Sequence, residues 1–275
     1  MIVVTGATGN VGQPLVRALA AAGERVTAVS RRVPANEVPT GVRQHQGDLA
    51  EPRSLAPALD GAEALFLLTS GDFVAAGGDL GRALETARAA GVRRVVLLSS
   101  QGVGTGDHSP ELEDAVTRSG LDWTLLRPGG FHSNTLQWAD GVRTRRVVTA
   151  PFGDVALPVV DPADIAEVAA VALRDAAHTG KVYELTGPAP VSPRQQAAAI
   201  ADALGEPVRF VEQSRDEARA AMARFMPEPI VERTLDILGT PSAGLLRVSP
   251  DVERLLDRPA RPFTEWAARN APAFT

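Results

Sequence analysis

Three glycines near the amino terminus have a spacing that could hold the pyrophosphate of a dinucleotide. Gly6, Gly9 and Gly12 follow a mostly apolar predicted strand, 2–5, and open a predicted helix. Gly6 can adopt turn conformations that a β-carbon disfavours, Gly9 lets the backbone approach the pyrophosphate, and Gly12 lets the helix pack on the strand. The first amides of such a helix point at an anionic ligand. The spacing predicts a dinucleotide site; the alternative is a glycine-rich turn of another α/β protein.

Two arginines at the end of the second predicted strand indicate which dinucleotide would bind. An NAD site has an acidic residue in this region, about 20 residues after the glycines, that binds the ribose 2′-hydroxyl. This chain instead has Arg31 and Arg32. Guanidinium groups suit a 2′-phosphate because they match phosphate oxygens in a bidentate way, whereas a carboxylate would repel it. The pair predicts NADP(H) as the cofactor; the alternative is a solvated surface pair.

Hydroxyl, imidazole and carboxyl groups further along the chain could assist a hydride or proton transfer. Ser99 and Ser100 end the fifth predicted strand, where a hydroxyl could hydrogen-bond the cofactor or a substrate carbonyl. His108 and His132 lie in predicted loops, and an imidazole can donate a proton near neutral pH. Glu113 lies in an acidic run at the start of a predicted helix. The alternatives are a strand-end turn hydroxyl, exposed histidines and a solvated helical turn stabilised by the helix dipole.

The elements that must position these groups alternate between strand and helix as far as residue 126. Apolar runs such as 64–68 indicate strands covered on both faces. The β-α-β rhythm predicts an α/β fold, a doubly wound parallel Rossmann sheet. The predicted strands are 2–5, 25–30, 42–46, 64–68, 94–99, 122–126 and 181–185, and the predicted helices are 11–22, 53–59, 77–90, 110–119 and 161–174.

The carboxyl-terminal third shows no fully independent core. We expect an NAD(P)-binding Rossmann domain at 1–150, completed by 159–187, and a small α/β substrate lobe at 188–275. Residues 128–150 lack clear periodicity. The cleft should lie above the carboxyl ends of the strands. Predicted elements of the lobe are helices at 192–204, 214–226 and 228–238 and a strand at 208–211.

The composition is that of a globular enzyme or binding protein. Of 275 residues, 44% are hydrophobic and 22% charged, and a net charge of −5 argues against nucleic-acid binding. The lack of cysteine excludes disulfides, thiolate catalysis and cysteine-ligated metals, and no metal site is expected. No apolar run approaches the roughly 18–20 residues of a membrane span, and no signal peptide is recognised, so we expect a cytoplasmic location. A single lysine among 28 basic residues suggests a GC-rich, bacterial source.

Several motifs resemble one known family. They are the glycine loop 5–12, the strand end 98–100, the segment 119–128, Phe131 with Asn134, and the segments 161–166 and 183–187. In this order they resemble the atypical short-chain dehydrogenase/reductases of the NmrA-like, NAD(P)H-binding branch, over nearly the whole chain. The resemblance implies a Rossmann domain, NAD(P)(H) binding and a small substrate domain. Some members are quinone or carbonyl reductases, and others are redox-sensing regulators without turnover.

The resemblance also implies where the cofactor binds and where catalysis would occur. The turn after Arg127 would pass beside the nicotinamide, which brings His132 near it, and Glu113 stands about where the family pattern has its tyrosine. The candidate catalytic residues are Ser100, His108, Glu113 and His132. The expected cofactor-binding residues are Gly6, Thr8, Gly9, Asn10, Val11, Gly12, Arg31, Arg32, Asp48, Leu49, Leu68, Thr69, Ser99, Pro128 and Gly129.

The tyrosine and lysine that typical short-chain dehydrogenases use are missing as a pair. Those residues are spaced Tyr-x-x-x-Lys on one helix, where the cation lowers the pKa of the phenol. Here the single tyrosine, Tyr183, lies two positions after the single lysine, Lys181, in a predicted strand, and we expect it to have a structural role.

We therefore expect an NADPH-dependent oxidoreductase that transfers hydride to a ketone or quinone without a tyrosine–lysine pair. An aromatic polyketide-type compound is one candidate substrate. The alternative is a non-catalytic, NADP(H)-binding redox sensor. An epimerase or dehydratase is less favoured, because those relatives normally keep the tyrosine and lysine. The expected partner is a small carbonyl or quinone substrate, and neither nucleic acid nor membrane.

Overall fold

The structure, a computed structural model of the chain, describes residues 1–33 and 38–275. The strands are β1 (Ile2–Val4), β2 (Val26–Ser30), β3 (Val42–Gln46), β4 (Ala64–Leu67), β5 (Arg94–Leu98), β6 (Asp122–Pro128), β7 (Val147–Pro151), β8 (Lys181–Leu185) and β9 (Arg209–Gln213). The α-helices are α1 (Gly12–Ala21), α2 (Ala56–Leu59), α3 (Gly71–Ala75), α4 (Leu80–Ala89), α5 (Gln101–Thr105), α6 (Glu111–Thr117), α7 (Ala139–Arg145), α8 (Pro162–Arg174), α9 (Pro193–Leu204), α10 (Arg215–Met222), α11 (Glu228–Gly239), α12 (Asp251–Leu256) and α13 (Phe263–Asn270).

Seven parallel strands form the central sheet in the order β3-β2-β1-β4-β5-β6-β8. Val3 at its centre pairs with Thr27 on one side and Leu65 on the other. Every residue of β1, β2 and β4 is buried, which explains their near-continuous apolar sequences. The predicted doubly wound Rossmann sheet is confirmed.

Helices cover both faces of this sheet because successive strand residues point to opposite sides. Val4 and Phe66 pack with α1 and α8 in one apolar core. Val3 and Leu65 pack with α4 and the helices beside it in a second core. The sheet is therefore a packed central layer, and the loops of the candidate site follow the carboxyl ends of its strands.

The carboxyl-terminal part has a separate small sheet and core. Strands β7 and β9 pair in parallel, and α9 and α13 pack together around Ile200 and Trp266. The segment 147–151, which we expected at the end of the first domain, thus contributes a strand to the small sheet. The division into 1–150 and 188–275 remains a prediction.

The expected helix at 77–90 corresponds to α4, which begins at Leu80. A further helix that we had not expected, α3, precedes it; Ser70 caps α3, and Gly77, with φ +65°, follows its end. Asp79 then caps α4 by accepting a hydrogen bond from the Gly81 amide. Within the ranges 1–33 and 38–275, no helix is long and apolar enough to cross a bilayer.

Candidate active site

The candidate site lies along the carboxyl edge of the central sheet, where the strand order reverses between β1 and β4. Ligands of open α/β sheets bind in the crevice outside the carboxyl ends of the strands at such a reversal. The loops that follow the first six strands, β1 to β6, supply most of the side chains described below. The fold therefore brings together segments that are far apart in the sequence.

The loop between β1 and α1 has the geometry that the glycine spacing predicts. Gly6 adopts φ +62°, a conformation that favours glycine. A β-carbon on Gly12 would clash with the carbonyl oxygen of Gly6, so the helix can approach the strand only because Gly12 has no side chain. Thr5 fixes the base of the loop, since its Oγ1 donates to the Phe66 carbonyl at 3.0 Å and accepts from the Leu68 amide at 2.9 Å.

The start of α1 is left open to an anionic ligand. Val11 occupies the N-cap position, and its side chain makes no capping hydrogen bond. The Gln13 amide donates to the Gly9 carbonyl at 3.0 Å, and Pro14 has no N–H. Among the described residues, the amides of Val11 and Gly12 have no backbone partner, so a phosphate can accept from them. Asn10 turns away from the strand and donates from Nδ2 to the Ser133 hydroxyl at 3.1 Å, which ties the loop to the segment after β6.

Two cavities line the groove beyond the glycine loop. Thr8, Arg31, Arg32 and Asp72 surround a polar cavity beside the end of β2. Asp72 forms an ion pair with Arg31 across it, with 3.4 Å between Oδ2 and Nη1. The adjoining cavity, of about 230 Å³, is lined by seven of the expected residues: Gly6, Thr8, Gly9, Arg31, Asp48, Leu49 and Leu68. Its wall also includes residues that we had not expected, among them Val29, Ser70 and Phe73. Thr69 is half-buried and follows Leu68 directly.

Ser99 and Glu113 form a buried cluster with Arg127. The Ser99 hydroxyl donates to Glu113 Oε1 at 2.5 Å, and Arg127 binds both carboxylate oxygens, at 2.9 and 2.6 Å. Burial alone would raise the pKa of Glu113, but the hydrogen bonds and charge of Arg127 and the bond from Ser99 hold this pKa below its ordinary value. Glu113 is only 5% exposed, so it is an ion-paired group within the fold.

Ser100 belongs to a different environment. Its Oγ accepts from the Gly102 amide at 3.1 Å, which caps α5, and lies 2.9 Å from Nδ1 of His108. Desolvation, with a further contribution from the charge of Arg233, holds the pKa of His108 below its ordinary value, although Asp107 opposes the shift. His108 is otherwise exposed at the rim, so it can exchange protons with solvent.

A cavity of about 270 Å³ opens beside these two residues. Pro128 and Gly129 at the end of β6 line it, as the resemblance implied for the nicotinamide region. Gly129 is fixed there because its amide donates to the Leu185 carbonyl at 2.9 Å. Most of the remaining wall is apolar and includes Leu157, Pro158, Ile237, Leu238 and Leu245. Residues from α11 thus complete a pocket whose floor comes from the central sheet.

His132 and Tyr183 lie apart from this pocket. His132 is 1% exposed and packs edge-on against Phe263 and Trp266. Burial lowers the pKa of His132 to about 4, although the charge of Asp161 opposes the shift. Its Nε2 contacts the Val159 carbonyl at 3.0 Å, and its Nδ1 finds no hydrogen-bond partner within the described part of the chain.

Tyr183 stands inside β8, opposite Leu126, and packs with the core on the α1 and α8 face. Its hydroxyl lies 2.8 Å from Nδ1 of His178. Burial raises the pKa of this phenol above its ordinary value. Lys181 is exposed at the start of the same strand, away from the carboxyl edge.

Sequence reasoning missed several residues of the groove. Asp72 and Phe73 lie in α3, a short helix that the sequence analysis did not predict. Arg127 was noted as part of a motif, and its pairing with Glu113 needed the strand register to become visible. The capping signal Ser70 three residues before Phe73 could have revealed α3.

Comparison with known proteins agrees with this geometry. A family model described as NAD(P)H-binding matches residues 6–176, more than half of the chain. The chain belongs to this NAD(P)H-binding family, and the predicted membership of an NAD(P)H-binding family is confirmed.

Several relatives extend along the whole chain. The (4-alkanoyl-5-oxo-2,5-dihydrofuran-3-yl)methyl phosphate reductase of Streptomyces griseus is 40% identical, with 100% of this chain and 99% of that protein covered. The NAD(P)H azoreductase of Xenophilus azovorans is 35% identical with the same coverage. Among solved structures, the NADPH-dependent quinone oxidoreductase of Escherichia coli complexed with NADPH has a TM-score of 0.80 at 27% identity, covering 98% of this chain and 99% of that one. The prediction of an NAD(P)H-dependent reductase is confirmed.

Proposed function

We propose that this chain is an NADPH-dependent reductase that transfers hydride to a conjugated ketone or quinone. The observation that carries the proposal is the Ser100 hydroxyl, which lines the apolar cavity beside Pro128 and Gly129. This is the end of the groove where the resemblance implies the nicotinamide. A carbonyl oxygen in that cavity would have one hydrogen-bond donor close to the reacting centre.

The groove fits NADPH at its other end. Arg31 and Arg32 offer two guanidinium groups around a polar cavity, and Thr8 adds a hydroxyl. The amides of Val11 and Gly12 suit the pyrophosphate, and Gly9 would let it approach the backbone. The bound cofactor would supply hydride, and the residues of this groove would hold and orient it.

The hydrogen-bond pattern of Ser100 suits a proton donor. A hydroxyl oxygen has two lone pairs and one hydrogen. The Gly102 amide donates to one lone pair, and His108 donates to the other when its proton is on Nδ1. The hydrogen of Ser100 is then available to a carbonyl oxygen. If hydride were delivered to the carbon, this proton would move to the oxygen, protonated His108 would return a proton to Ser100, and solvent would reprotonate His108, so each turnover would consume one proton.

Glu113 and His132, the other candidate catalytic residues, are poorly placed to donate a proton to a substrate. Glu113 is held ionised by Arg127, so it has no proton to donate at neutral pH. His132 is neutral and buried among aromatic rings, with Nε2 directed at a backbone carbonyl. We therefore assign proton transfer to Ser100 and His108.

The substrate class follows from the pocket walls and from the named relatives. The walls are mainly apolar, so a flat conjugated molecule would bury its faces against them. The relatives are named for a furanone phosphate, for azo compounds and for quinones. We propose a conjugated carbonyl or quinone as the substrate class, with aromatic polyketide-type compounds as a narrower group to include in the test.

The test is the loss of NADPH absorbance with a panel of quinones and aromatic ketones, with NADH assayed in parallel. We expect turnover of at least one compound and faster turnover with NADPH at low cofactor concentration. Tight binding of NADPH without oxidation by any compound would contradict the proposal and favour the redox-sensor alternative. Turnover with NADH alone would contradict the role of the arginine pair.

A further inference from the structure

Asp72 places a carboxylate in the cavity that we assign to the 2′-phosphate. It lies in the first turn of α3, after β4, and lines the same cavity as Thr8, Arg31 and Arg32. In a typical NAD site the acidic residue comes from the end of β2. Here the arginines occupy that place, and the acidic residue comes from a different loop.

We propose that Asp72 reduces the preference of this protein for NADPH over NADH by competing with the 2′-phosphate for Arg31. The proposal rests on the function proposed above, in which the arginine pair binds that phosphate. With NADPH, Arg31 turns from the carboxylate to the phosphate. With NADH, Asp72 keeps Arg31 and can accept a hydrogen bond from the ribose 2′-hydroxyl, as the acidic residue of an NAD site does.

The ion pair is weak enough to be exchanged. The distance of 3.4 Å is long for a charge-assisted hydrogen bond, and the side chains of Arg31 and Asp72 are 60% and 86% exposed. Exposed pairs of this kind contribute little to stability. A doubly charged phosphate that binds a guanidinium in a bidentate way would therefore displace the carboxylate, which would then lie close to a group of like charge.

The position of Asp72 is set by the residues beside it. Ser70 caps α3 by accepting from the Phe73 amide at 3.2 Å. The ring of Phe73 is buried and lies so close to Gly78 that a β-carbon there would clash with it. Because both anchors flank Asp72, its backbone is fixed at the rim of the cavity while its carboxylate stays in solvent.

The test is the affinity of Asp72→Asn for NADP⁺ and for NAD⁺, measured by isothermal titration calorimetry. We expect NADP⁺ to bind about three- to tenfold more tightly than to the parent protein, the size expected for a nearby like charge in water. NAD⁺ should bind equally well or more weakly. The matched control is Glu51→Gln, which removes an equal charge from an exposed residue of the loop after β3. An unchanged ratio of the two affinities in Asp72→Asn, or an equal change in Glu51→Gln, would overturn the proposal.

Arg31→Ala and the double variant separate this inference from the function on which it rests. If Asp72 acts through Arg31, the gain in NADP⁺ affinity should largely disappear in the Arg31→Ala background. If Asp72→Asn raised the NADP⁺ affinity just as much in the Arg31→Ala background, Asp72 would not be competing with the phosphate for Arg31. If the arginines do not bind the 2′-phosphate, Arg31→Ala should instead weaken the binding of NADP⁺ and NAD⁺ equally. We expect Arg31→Ala to weaken the binding of NADP⁺ much more than that of NAD⁺.

Discussion

Ser99 and Ser100 are neighbours in sequence, yet they belong to two regions of the molecule with opposite properties. Ser99 donates to Glu113 in a buried cluster that Arg127 neutralises. Ser100 faces an open apolar cavity together with His108. The first region holds β5, α6 and β6 together, and the second offers the polar groups for chemistry.

The alternation of side chains along a strand accounts for the difference. Leu97 packs in the core on the α4 and α6 side of the sheet, and Leu98 packs against the core on the α1 and α8 side. Ser99 continues the first series and so meets α6, whereas Ser100 continues the second and turns away from it. A carboxylate at the position expected for the family's tyrosine has therefore become part of the structural region.

The largest effect should come from breaking the structural region with Glu113→Gln. Removing the carboxylate charge deprives the mostly buried guanidinium of Arg127 of its ion-pair partner, and we expect the free energy of unfolding to fall by about 2–4 kcal/mol. Urea denaturation at neutral pH measures this loss. A loss below about 0.5 kcal/mol would mean that the cluster is no more important than a surface pair.

Low pH should remove the difference in the free energy of unfolding between the parent protein and Glu113→Gln. The folded state holds the pKa of Glu113 below its ordinary value, so its contribution is present above the unfolded pKa and disappears as the pH falls through the folded pKa. The stabilities of the parent protein and Glu113→Gln should therefore converge as the pH falls below the ordinary value of 4.5 and through the lower folded-state pKa. A difference of constant size across the acidic range would contradict the ionised state of Glu113.

The next prediction compares the same substitution, serine to alanine, at Ser99 and at Ser100. Ser100→Ala should lower kcat by about 10²-fold, the effect of removing one donor to a developing oxyanion, with little change in NADPH affinity. Ser99→Ala should keep kcat within a few-fold and lose about 1.5–3 kcal/mol of stability, because it removes one hydrogen bond to a carboxylate. Steady-state kinetics and urea denaturation of both variants give the result. A large loss of kcat in Ser99→Ala, with only a loss of stability in Ser100→Ala, would assign the chemistry to Ser99 and the structural role to Ser100.

A smaller effect should distinguish His108 as the group that restores the proton of Ser100. The pKa of His108 lies below its ordinary value, chiefly because of desolvation, so its protonated form increases only as the pH falls below about 6.5. Under saturating substrate we expect kcat of the reductive reaction to rise in that range. His108→Asn should lower kcat about tenfold and remove the rise. If the pH profile of kcat is unchanged in His108→Asn, water rather than His108 returns the proton to Ser100.

These regions also show what a sequence can reveal. The glycine loop and the arginine pair could be predicted because each depends only on residues a few positions apart, the first between β1 and α1 and the second at the end of β2. The pairing of Glu113 with Arg127, and of Arg31 with Asp72, depends on segments separated by 14 and 41 residues, which only strand order and helix packing bring together. The wall that α11 contributes to the cavity could not be predicted for the same reason.

The smallest effect is expected at Tyr183, which lies outside both regions. Its phenol reaches His178 within the α1 and α8 face, and the residue stands in the middle of β8. Tyr183→Phe removes that one hydrogen bond, so we expect a stability loss of at most about 1 kcal/mol and turnover within a few-fold of the parent protein. Steady-state kinetics with the best substrate of the panel provides the measurement. A loss of the 10²–10⁴-fold size that a general acid contributes would move the active site to β8, because no residue of the Ser100 cavity contacts this phenol.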